Sequence, residues 1–266
     1  MKKFTKLLCA ATVASVGTFA NANVIIDSGL TGTTGAATHL DATLAATSVI
    51  AGGTCTGTVC APTIPTSTFT ESGFGEVTGL LPGGFGGVFS SGFATTWGIS
   101  AVYSGLTGNY SAGFPIFDAN GYIDLFYNST EGSEQVARLL VGGGNVVPAN
   151  VNMFGTLDYS WLTSATDTAN TSADARTFFQ SSDLSNGYSN FYDIWADTTT
   201  ASVSWDFDFT VTNGDVPFIG DTTSAERVTD LNGQISFAVP VPEPSSLAIL
   251  GLGLIGLAGA ARRRKS

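Results

Sequence analysis

The sequence predicts an all-β protein: an antiparallel β-sandwich or jelly roll over residues 66–239, with an N-terminal signal peptide before it and a C-terminal transmembrane helix after it. Three observations predict this fold. Several runs alternate apolar and polar residues with a period of two; Gly, Asn, Ser and Asp punctuate them at turn spacing; helical periodicity is scarce. The clearest run is Val203 to Val211. Val203, Trp205, Phe207, Phe209 and Val211 take one face, and Ser204, Asp206, Asp208 and Thr210 take the other. An antiparallel strand with one wet side reads this way.

In chain order, Lys2, Lys3 and Lys6 form a positive start, Leu7 to Phe19 is apolar, and Ala20-Asn21-Ala22 is a small-x-small site, so signal peptidase should cut between Ala22 and Asn23. Cys9 lies inside this leader after Leu8, where a lipoprotein needs a small residue, and leaves with it. Residues 23–65 are rich in Thr, Gly, Ala and Ser with few large apolar groups, a composition that scarcely offsets the entropy of ordering. They are expected to be a loose, peripheral segment. Within them Cys55 and Cys60 stand as CTGTVC. In an exported chain this predicts a local disulfide; a metal pair would need further ligands, and the one histidine, His39, is isolated.

From residue 66 the period-two pattern takes over, through Trp97, Ile99, Ala101 and Tyr103, then Leu157, Tyr159 and Trp161, and finally Ile235, Phe237 and Val239. Turns are expected at Asn120-Gly121, Asn213-Gly214 and Asn232-Gly233. One short helix is expected over Ser172 to Gln180, capped by Ser172.

Between Asn23 and Pro240 the chain carries 3 basic residues (Arg138, Arg176 and Arg227) against 20 acidic ones, a net charge of −17. Such a surface repels nucleic acid and anionic lipid. No nucleic-acid partner is expected. Walker A, H-E-x-x-H, G-x-S-x-G and strand-to-helix G-x-G-x-x-G patterns do not occur, so neither a cofactor nor a local catalytic motif is expected.

Three weaker constellations remain. Asp206 and Asp208, about 7 Å apart on one strand face by strand geometry, are the best carboxylate pair for a glycosidase; the plainer reading is a solvated face. Asp118, Asn120 and Asp124 resemble the middle of an EF-hand loop, but Ile116 and Tyr127 occupy the positions of its first and last acidic ligands. A weak calcium site and a hairpin turning on Asn120-Gly121 both fit. Trp195, outside the period-two runs, is the tryptophan to consider for sugar stacking.

The C-terminal stretch, residues 240–266, has three parts in order. Pro242-Glu243-Pro244 should stand extended. An uncharged, Gly-rich apolar run of about 15 to 17 residues follows, short for a membrane span. Arg262, Arg263, Arg264 and Lys265 then make a cytoplasmic stop. These features resemble the PEP-CTERM sorting domain, found on substrates of the membrane protease exosortase. The resemblance implies a Gram-negative host that makes exopolysaccharide, transient retention in the inner membrane, cleavage near the triplet, and delivery to the cell surface or matrix. A plain single-pass anchor is the alternative.

Taken together these readings predict a non-catalytic, exported surface or matrix protein associated with exopolysaccharide, biofilm or floc formation, as in the flocculation-associated subset of such proteins. A carbohydrate-binding module is the second expectation and a secreted glycan hydrolase the third.

Overall fold

The computed structural model describes residues 18–82, 92–111, 114–147, 150–162, 173–181, 188–197, 202–212 and 216–241. In chain order the elements are β1 (Thr18–Asn21), β2 (Ile25–Ile26), β3 (Ala37–Ala51), β4 (Thr54–Thr56), β5 (Val59–Ala61), β6 (Thr68–Pro82), β7 (Trp97–Ser111), β8 (Phe114–Phe117), β9 (Tyr122–Ser129), β10 (Gly132–Val147), β11 (Asn150–Asp158), α1 (Ala175–Phe178), β12 (Phe179–Gln180), α2 (Phe191–Ala196), β13 (Ser204–Val211), β14 (Phe218–Gly220) and β15 (Ala225–Val241). Residues 1–17 and 242–266, which hold most of the leader and the apolar and basic tail, lie outside the described residues. Among the described residues no helix is long and apolar enough to cross a membrane.

The all-β, antiparallel expectation holds, but the sheet is a closed eight-strand barrel and not a sandwich or jelly roll. The ring runs β3, β6, β7, β9, β10, β11, β13, β15 and back to β3. β8 shares the place of β9: it pairs with the far ends of β7 and β10, so β8 and β9 act as one interrupted strand. Consecutive wall strands are neighbours, an up-and-down arrangement that leaves no open edge in the wall.

The strand that closes the ring comes from the segment expected to be peripheral. β3 pairs with β6 from Ala51↔Thr68 to Ala37↔Pro82, and with β15 from Ala225↔Ile50 to Ser236↔His39. Leu40, Ala42, Leu44, Ala46 and Ile50 point inward and are fully buried. An eight-stranded barrel is only wide enough for side chains to fill it. Where Trp205, Phe207, Phe209 and Phe237 already fill the interior, a wall of Ala and Leu fits and a wall of aromatics would not.

Most of the period-two runs fold as read, but β11 ends at Asp158, so Tyr159 and Trp161 lie beyond the strand, and Trp161 and Val211 are only half-buried. Val203, Trp205, Phe207 and Phe209 are buried, while Asp206, Asp208 and Thr210 are exposed. Asn232-Gly233, expected as a turn, instead lies inside β15, opposite Thr210 and Phe209. Asn213-Gly214 and Ser172 lie outside the described residues. The expected helix is a single turn, α1, capped by the carboxylate of Asp174, which accepts from the Arg176 amide at 2.9 Å. α2 was not anticipated; Asn190 caps it, accepting from the Asp193 amide at 2.8 Å.

The two ends of the barrel are covered differently. At one end, α1, β12 and α2 bring Phe178, Phe179 and Phe191 against Trp97, Tyr127 and Phe237, mostly in edge-on or tilted contacts. β12 is pinned there by β2 through Phe179↔Ile26. At the other end the β4–β5 hairpin and β14 fold over the rim, with Phe218 opposite Cys60.

Candidate functional site

The interior is packed, so an open site has to lie on the outer wall. There β6, β7 and β9 carry a groove of about 480 Å³. Cross-strand pairing sets its residues: Phe74 faces Val102, Glu76 faces Ser100, and Gly98 faces Asn128. The turn at Gly92–Trp97 raises one side, held by Ala94 N–H on the Trp97 carbonyl at 2.7 Å and by the Thr95 hydroxyl on the Gly92 carbonyl at 2.9 Å. A side chain at Gly98 would project into open space, so its absence leaves room. Phe74 is 55 % exposed, an unusual state for a phenylalanine with an apolar core available.

The polar groups of the groove are partly occupied. Asn128 Nδ2 donates to the Ser100 hydroxyl at 2.9 Å and to the Phe126 carbonyl at 3.3 Å. The Asn128 carbonyl oxygen and the Ser100 O–H therefore remain as acceptor and donor. The Glu76 carboxylate has no hydrogen-bond partner among the described residues and adds further acceptors.

The sequence analysis singles out no residue of this groove, because β6 carries no run of alternating large apolar residues that would draw attention to Phe74. The signal was its phase. Phe74 is out of step with Phe69 and Val77, which are buried, and must face out, while Glu71 is in step with them and must face in.

Glu71 does face in. It is 7 % exposed, accepts from the Ser48 hydroxyl at 3.3 Å, and has a pKa raised to about 7, chiefly by burial. The Tyr103 hydroxyl lies within electrostatic reach of it but not in hydrogen-bond geometry, and burial with the Glu71 charge holds that phenol well above its usual range. Arg227, its guanidinium 4.5 Å from the centre of the Phe218 ring, supplies the opposing charge.

The residues singled out from sequence are dispersed. Cys55 and Cys60 are disulfide-bonded across β4 and β5, as the spacing suggested. Ala22 is buried and donates to the Phe237 carbonyl at 2.9 Å, with Asn23 next to it. Asp118 accepts from the Thr107 hydroxyl at 3.1 Å, Asn120 takes φ 81 in the turn between β8 and β9, and Asp124 is bound by Arg138 and Gln135. The turn on Asn120-Gly121 thus interrupts one strand position and does not close a hairpin between neighbours. Trp195 is half-buried in α2, its ring 5.8 Å from both Tyr159 and Tyr192, away from the groove residues. Asp206 and Asp208 both point out from the convex wall, and burial together with the Asp208 charge raises the Asp206 carboxyl. His39 lies on the same wall, its Nδ1 3.0 Å from the Thr38 hydroxyl and its Nε2 3.7 Å from Asp41 Oδ1.

Pro242, Glu243 and Pro244 and the basic run Arg262, Arg263, Arg264 and Lys265 lie outside the described residues, but comparison with known families reaches them. No curated protein and no solved structure matches the chain. A family model described as the PEP-CTERM protein-sorting motif matches residues 240–265, where the triplet, apolar run and basic tail stand in that order. The motif implies processing by exosortase, with export and sorting to the cell envelope of a Gram-negative bacterium. A closed antiparallel barrel is therefore followed in this chain by a PEP-CTERM protein-sorting motif.

Proposed function

We propose that the protein is a non-catalytic component of the cell surface or extracellular matrix, delivered by exosortase and associated with exopolysaccharide in biofilm or floc architecture. The sorting motif at residues 240–265 carries the reading. The barrel supports it. Its interior is filled by large side chains, its outer wall exposes acidic residues such as Glu76, Asp206 and Asp208, and a closed wall presents no strand edge for uncontrolled pairing. The carboxylates offered by sequence as a glycosidase pair stand side by side on an exposed convex strand, not across a cleft that could hold a glycosidic bond between them. A strain lacking the gene tests the role. Loss of cell aggregation and of polysaccharide retention, restored by the intact chain, is the expected result; an unchanged phenotype in both assays rejects it.

A further inference from the structure

We infer that the groove on β6, β7 and β9 binds an uncharged glycan, with Phe74 as the stacking platform. This deepens the proposed surface role and takes from it the extracellular setting. A pyranose ring presents an apolar C–H face and a rim of hydroxyls that both donate and accept. The groove offers the matching halves. Phe74 supplies an exposed aromatic face beside Val102, and within the same groove Glu76, Ser100 and the Asn128 carbonyl oxygen supply acceptors and a donor.

Two further observations narrow the ligand. The net charge of −17 between Asn23 and Pro240 disfavours an anionic polymer, and no basic residue is found among the described residues lining the groove. Glu76 is the one acid among those lining residues, so the groove lacks the carboxylate pair that glycoside hydrolysis uses. The groove holds a chain and does not cut it.

Phe154, equally exposed at 55 %, is a useful contrast. Its ring end lies 3.2 Å from where a Cβ on Gly143 would be, so it covers a side-chain-free stretch of β10 and has a structural reason to be outside. Phe74 has no such glycine beneath it: the position of a Gly98 side chain is empty, and the glycines flanking Phe74 abut interior groups, Tyr103 for Gly73 and Leu44 for Gly75.

Native affinity electrophoresis of the chain extracted from its producing cells tests the assignment, with hydroxyethyl cellulose, dextran or laminarin in the gel and alginate as the anionic control. At least one of the three neutral polymers should retard the protein more than alginate does. Phe74→Ala should weaken that retardation about tenfold, the scale of one lost aromatic contact with its buried area. Gly98→Leu, which fills the groove without touching the packed interior, should weaken it as much, and Phe154→Ala should leave it unchanged. Melting temperatures of the variants separate a lost contact from a lost fold. No retardation by any neutral polymer, stronger retardation by alginate, or indifference to both groove variants would each overturn the inference. None of these outcomes bears on sorting, which the intact mass of the surface-extracted protein reports separately.

Discussion

Arg138 holds both carboxylate oxygens of Asp124, Nε at 2.7 Å from Oδ1 and Nη2 at 3.0 Å from Oδ2, with its guanidinium also 4.0 Å from the centre of the Tyr122 ring. Gln135 donates to the same Oδ1 at 2.7 Å. A carboxylate so engaged is a poor ligand for a cation, since calcium would have to displace a bidentate guanidinium. Millimolar calcium should therefore leave the melting temperature unchanged. Arg138→Ala should cost about 1 kcal/mol, the scale of a partly exposed bidentate pair. A calcium-dependent rise in melting temperature that Asp124→Asn abolishes would restore the calcium site.

Glu71 gives the fold a pH dependence. Its pKa is raised from 4.5 to about 7 in the folded chain, with Ser48 from β3, Tyr103 and Tyr110 from β7 and Arg227 from β15 around it. The folded state thus binds the proton more tightly than the unfolded state does. The contribution of Glu71 to stability should be fully present below pH 4.5 and lost as pH rises through 7, by about 3 kcal/mol in all if this carboxyl acts alone. Urea midpoints at pH 5 and pH 8 should differ in that sense, and Glu71→Gln should flatten the difference. A midpoint that rises between those pH values, or a slope that survives Glu71→Gln, would show that Glu71 does not control it.

Closure of the barrel can be tested at Gly233. A Cβ there would sit 2.1 Å from the Asp208 carbonyl oxygen and 2.6 Å from Phe209 Cα, too close for either backbone to tolerate. Gly233→Val should therefore disrupt the pairing of β13 with β15 and destabilise by roughly 3 kcal/mol or more, in the range of severe overpacking. Gly98→Val, in open space on the outer wall, should be nearly neutral. Equal denaturation midpoints for the two variants would contradict the closed ring.

That glycine shows where the sequence was hard to read. Asn-Gly ordinarily marks a two-residue hairpin, and only the approach of β13 explains a glycine in mid-strand. The long aromatic runs were legible because a buried face made of Trp and Phe contrasts sharply with Asp and Thr. β3 was not, because its inward Ala42, Ala46 and Ser48 alternate with outward Thr43, Ala45 and Thr47, and hydrophobic contrast nearly vanishes. Small residues there answer to bulky ones elsewhere in the barrel, a tertiary fact with no local signature. The groove was hidden for a related reason, since β6 carries no run of alternating large apolar residues and Phe74 shows as outward only when the phase of its strand is followed from Phe69 to Val77.

The last prediction concerns the C-terminus. If Pro242-Glu243-Pro244 is the exosortase signal, cleavage near it removes the apolar run and the cluster Arg262, Arg263, Arg264 and Lys265, leaving the acidic barrel free of its membrane segment. On that reading the apolar run would hold the chain in the inner membrane until cleavage, with the basic cluster on the cytoplasmic side. Glu243→Ala leaves the leader untouched, so export should proceed while a longer, membrane-bound form accumulates. Deleting residues 262–265 should instead weaken the stop and the orientation. Intact mass of the surface-extracted protein decides: a mature chain shortened at both ends is expected, and one still ending at Ser266 in a host with active exosortase would make the tail an ordinary anchor.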